Sequence, residues 1–148
     1  MPTTIQTDLS PVEAQAGLRR WAHGLYGLEA AVELLVRACG GRFARPHWPW
    51  IRLEGTCLWL DADQIRPNLA LLSGGERRLL AIVEALAAGH PIGHLAELLA
   101  DFDRETLHLA LAAFAHAGGS HTHAILDTGS DGSARWVRPG PLIDWPLP

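Results

Sequence analysis

The feature that most constrains the fold is an apolar stripe near the start of the chain. Ala14, Leu18, Trp21, Leu25, Leu28, Val32, Leu35 and Cys39 follow one another at alternating spacings of four and three. That period places all of them on one face of an α-helix. Ser10-Pro11-Val12-Glu13 precedes the stripe as a capping box with proline at the first helical position. Gly40-Gly41 closes it. The pattern predicts one long amphipathic helix. Gly24 and Gly27 lie inside it, each costing about 1 kcal/mol relative to Ala, and Gly24 marks the place for a kink. Such a stripe either packs on its own domain or forms a homodimer seam. The two glycines favour the first.

A chain of 148 residues that is 48% apolar and 19% charged is neither disordered nor of low complexity. At this length roughly 68–70% of the unfolded surface can be buried, so folding needs neither disulfides nor metal. The net charge of −4 argues against a protein that coats nucleic acid without specificity. No apolar run reaches the ~18 residues of a membrane span, and the polar opening through Asp8 is no signal peptide. A cytoplasmic location is expected, with Cys39 and Cys57 as reduced packing thiols. All twelve basic residues are arginine, as in the GC-rich coding of actinobacteria and their phages.

The remaining elements are read from turn chemistry. Arg42 to Trp50 is a loop rich in proline and aromatics, and Ile51 to Leu60 reads as a short hairpin or irregular strand around Glu54-Gly55. Asp61-Ala62-Asp63-Gln64 starts about one helical turn before Pro67. Ser73-Gly74-Gly75-Glu76 is a further capping box, opening a helix with Leu79, Leu80, Ile82, Val83 and Leu86 that stops at Gly89. Pro91 opens a short helix with Ile92, Leu95, Leu98 and Leu99. Asp103 caps another, with Leu107, Ala110, Leu111 and Phe114 inward, closed by Gly118-Gly119. Strands at roughly 122–126 and 134–138 pair across Gly129-Ser130-Asp131-Gly132. The tail from Pro139 is extended, with Leu142, Ile143 and Trp145 strapped onto the body.

Two stretches resemble known families. Leu72-Ser73-Gly74-Gly75-Glu76-Arg77-Arg78 resembles the signature motif of ABC-type ATPases. The chain has no lysine for a phosphate-cradling loop, and the capping box already accounts for Ser73 and Glu76. The resemblance is coincidental. The stretch from Glu76 to Arg138 resembles a winged helix-turn-helix domain: helix, short helix, tight turn, helix, two-stranded wing. Pro91 to Leu99 followed by Phe102-Asp103-Arg104-Glu105-Thr106 is similar to the helix-turn-helix, and Ala117-Gly118-Gly119 sits where that family turns into its wing. The resemblance implies that duplex DNA is contacted by Arg104 and His108 on the second helix and by Arg135 and Arg138 on the wing. The expected exposed positions of that helix are Arg104, Glu105, His108, Leu109 and Ala112. Glu97, Asp101, Asp103 and Glu105 surround a single arginine there, a pattern that repels phosphate.

Two further groups of residues carry candidate chemistry. Arg42, Arg45, Trp48, Trp50 and Arg52 combine guanidiniums with aromatic faces and no acid, which fits nucleic acid or a protein partner. The competing reading has both tryptophans packed inward. His116, His121 and His123 can hold zinc if helix end and strand bring them together, and are otherwise surface polar residues with His116 favoured at a helix C-terminus. No nucleophile–base pair is visible, so no enzyme is expected.

The sequence therefore predicts a mainly α protein with a small β-hairpin (α+β). A long helix, loop and short hairpin (10–67) precede a winged-helix-like part (68–138) and an extended tail (139–148), in one body. It predicts a small regulator or accessory protein without resident cofactor, binding duplex DNA. The alternatives are a protein-interaction module on the same fold and a histidine-cluster metal binder.

Overall fold

The computed structural model describes residues 8–147, and the first seven residues of the polar opening lie outside them. The chain is mainly α with two small antiparallel strand pairs.

Helix α1 spans Pro11–Ala22 and helix α2 spans Tyr26–Arg37. The predicted single helix is thus two. Ser10 caps α1 as expected, its hydroxyl accepting from the Glu13 N–H while the Glu13 carboxylate accepts from the Ser10 N–H. The break falls at His23-Gly24-Leu25, where Gly24 has φ +90, a conformation that ends a helix and is open to glycine. The stripe survives the break as far as Leu35, but Cys39, expected to close it, lies past α2 with φ +50, and both Cys39 and Cys57, expected as packing thiols, are exposed. Ala14 and Leu18 before the break, and Val32 and Leu35 after it, are fully buried, while Leu25 at the corner is 60% exposed. The face proposed as a homodimer seam is therefore largely buried in this chain's own core.

α2 is the central helix. α1 packs on it, as do α3 (Gly74–Ala88) and α5 (Arg104–Ala117). Gly27 is needed for the α2–α3 crossing, since a Cβ there would stand 2.8 Å from the Leu86 carbonyl oxygen. Strands β1 (Ile51–Glu54) and β2 (Cys57–Leu60) form the first hairpin, with Ile51 opposite Leu60 and Glu54 opposite Cys57. β2 lies on α1, where Gly17 leaves room for Leu58. Short 3-10 turns over Ala62–Gln64 and Arg66–Asn68 lead to α3. The Ser73–Glu76 capping box is formed in both directions, and Gly89 closes α3 in the left-handed region.

Two boundaries differ from expectation. Pro91 does not open a helix: Gly93 has φ +80, and α4 runs only over Leu95–Ala100. The second hairpin, β3 (Ile125–Thr128) with β4 (Ala134–Val137), starts later because Ser120–Thr122 form a 3-10 turn.

The face of α5 differs as well. Asp103 caps it as predicted, but the buried residues are Leu109, Ala110, Ala112 and Ala113, and Leu111 is 41% exposed. Phe114 is partly buried against the core. Leu107 to Ala115 is apolar apart from His108, so its period selects no face. The tail does lie on the body: the Leu142 N–H donates to Ser120 Oγ, the Arg37 guanidinium donates to the Pro146 carbonyl, and Trp145 packs on the core. The Leu142 side chain, expected in that strap, is 79% exposed. Among the described residues no helix is long and apolar enough to cross a membrane.

Candidate functional site

The arginine–tryptophan loop folds inward at its tryptophans. Trp50 is fully buried and its indole N–H donates to the Phe43 carbonyl at 2.9 Å. Trp48 stacks on it, 4.5 Å between ring centroids and 10° from parallel, and donates to the Arg42 carbonyl at 2.8 Å. Arg42 lies over Phe43 and Trp48 and pairs with Glu76 at 3.2 Å. Trp50 is thus withdrawn from any partner and Arg42 is neutralised. Arg45 and Arg52 are exposed, and neither makes an ion pair among the described residues.

The histidines form a stacked pair rather than a three-point set. His116 and His121 lie face to face, His116 Nε2 is 3.4 Å from Glu29 Oε1, and Tyr26 meets both rings edge-on. His123 is exposed. Among the described residues no three His, Cys, Asp or Glu groups converge as a metal set. Stacking is the physical reason, since it turns the ring nitrogens away from a common point. Burial, then the neighbouring His116 charge, pushes His121 below the ordinary imidazole range. Beside this pair lies a carboxylate network that the sequence reading missed. Glu33 takes Arg19 at 2.6 Å and Arg37 at 2.7 Å. Burial works to raise Glu33, but the two arginines outweigh it and hold the carboxyl below its usual range. The i,i+4 spacing of Glu33 and Arg37 was the available signal for half of it.

The surface assigned to duplex DNA is divided. Arg104 and His108 lie exposed on α5, but His108 Nε2 is 2.9 Å from the Asp144 carbonyl, so the tail crosses this part of the helix. Leu109 and Ala112, expected on the exposed face, are buried. A cleft at the start of α5 is lined by Glu76, Asp101 and Asp103 together with Cys39. Burial, followed by the Glu76 charge, raises the Cys39 thiol above its ordinary value. Asp101 also pairs with Arg78 at 2.7 Å. On the β3–β4 hairpin Arg135 stands opposite Asp127 with 3.6 Å between them, and Arg138 is exposed.

The same hairpin carries a feature that alternation alone did not disclose. Trp136 is 73% exposed, Leu126 directly opposite it is 54% exposed, and Ile125 is 51% exposed. Cross-strand partners share a face, so Trp136 and Leu126 form one apolar surface. The signal in the sequence was apolar residues at successive positions of both strands, which a hairpin buried on one face does not need. No protein-family model matches the chain, and comparisons with curated proteins and with solved structures likewise found no match.

Proposed function

We propose that this chain is a non-enzymatic protein-interaction module that docks through its β3–β4 hairpin. The observation that carries this reading is the exposed Trp136–Leu126 pair. Tryptophan is the side chain that most often anchors a protein interface, and a contiguous exposed apolar patch marks such a site. Charge supports the same reading. Arg135 is paired on the hairpin itself, and Asp103, which no arginine pairs among the described residues, lines the cleft at the start of α5, where a phosphate backbone would have to approach.

A second reading, a duplex-DNA regulator of winged-helix class, is favoured by the helix–helix–hairpin order and by the exposure of Arg104 and Arg138 without ion-pair partners among the described residues. Fluorescence anisotropy on random duplex DNA at low salt separates the two. The interaction reading expects no duplex binding. Salt-dependent binding that Arg104→Ala and Arg138→Ala each weaken, while Trp136→Ala leaves it unchanged, establishes the second reading instead.

A further inference from the structure

A cleft of about 290 Å³ that no residue of the β3–β4 hairpin lines lies between α1, β2 and the C-terminal end of α3. Trp21 on α1 and Trp59 on β2 line it, together with Asp61, Asp63 and the last residues of α3, Ala87 and Ala88. Both indoles are partly exposed. Three separate features suit this cleft to a cation. Indole faces attract positive charge through the ring quadrupole. Asp61 and Asp63 contribute carboxylates, and among the described residues no arginine pairs with either; Asp63 meets only His90, at 2.9 Å. The end of the long helix α3 contributes the negative pole of its dipole and its unpaired terminal carbonyls.

The chain's own arginines leave the cleft open. Arg37 lies over Trp145, and Arg42 lies over Phe43 and Trp48. Arg52 stands opposite Trp59 in the hairpin register, yet among the described residues no guanidinium lies over Trp21 or Trp59. We propose that the Trp21–Trp59 cleft receives an arginine side chain of a partner polypeptide. A planar guanidinium both stacks on indole and offers forked donors to carboxylates, which a compact ammonium does not. The cleft is broad-mouthed, so a side chain carried on a polypeptide can reach it. This inference shares no residue with the β3–β4 hairpin and stands or falls independently of it.

The test is an NMR titration of the full chain, following the indole N–H resonances of Trp21 and Trp59. The probe is N-acetyl-Gly-Arg-Gly-amide, with the citrulline analogue as its uncharged isostere. The arginine peptide is expected to shift both resonances and the citrulline peptide neither. Asp61→Asn with Asp63→Asn should weaken the response at least tenfold with an unchanged melting temperature. Equal shifts with citrulline, or undiminished binding to the double variant, would overturn the proposal. Choline binding more tightly than the arginine peptide also overturns it, because the cleft then belongs to a small quaternary ammonium.

Discussion

The imidazoles of His116 and His121 stack with 4.0 Å between centroids and 5° between their planes. Two rings so placed cannot both carry a proton without repulsion. His121 is therefore held toward its neutral form, by burial first and by His116 second. The unfolded chain binds that proton more readily than the folded one. Stability from this group is thus present above the ordinary imidazole value of 6.5 and is lost as pH falls below it, toward the depressed folded value. The expected outcome is a melting temperature that drops between pH 7 and 5. His121→Phe, which keeps a ring in the stack, should flatten that drop. A profile unchanged by the substitution would show that the stack does not titrate.

Glu84 on α3 is 1% exposed, and among the described residues its Oε1 has no hydrogen-bond partner. Among the same residues its Oε2 reaches only Arg66, at 3.5 Å, whose side chain is 61% exposed. A buried acceptor without a partner costs about 1–3 kcal/mol. Glu84→Met keeps the bulk and leaves Arg66 in water, so it should raise stability by a similar amount. Urea unfolding of the two proteins measures the difference, and a loss of stability would contradict this account of the site.

Trp50, fully buried, and Trp48, stacked on it, are expected to act on folding rather than on recognition. Trp50→Ala removes a fully buried indole and the stacking partner of Trp48, and should cost about 3–5 kcal/mol. Trp48→Ala should cost less, since its ring is only partly buried. Neither change should alter partner binding once the protein is folded, which denaturant unfolding and binding measured side by side will show.

Three helix starts were legible because capping is local; α2 and α4, which have no side-chain cap, were not placed correctly. Ser10, Ser73 and Asp103 each cap the helix their neighbours predicted. The break at Gly24 was half legible: glycine was marked as a kink, but an unbroken period hid a full stop. The face of α5 was not legible, because a helix apolar nearly all round turns whichever side its neighbour accepts. The structure therefore moves the sensitive position from Leu111 to Leu109. Leu109→Ala should cost about 2–5 kcal/mol, whereas Leu111→Ala, at a 41% exposed position, should cost distinctly less. Thermal unfolding of the two variants decides it. The hairpin surface escaped the sequence for a related reason. Alternation tells which residues share a strand face, but not whether anything covers that face.

Trp136 is expected to anchor a protein partner. The most direct measurement places a photo-crosslinking amino acid at position 136 in the cell of origin, with Arg20, exposed on α1, as the control position. The expected result is a discrete protein adduct from position 136 that is absent from position 20. An adduct to nucleic acid from position 136, or no adduct that distinguishes the two positions, would contradict it.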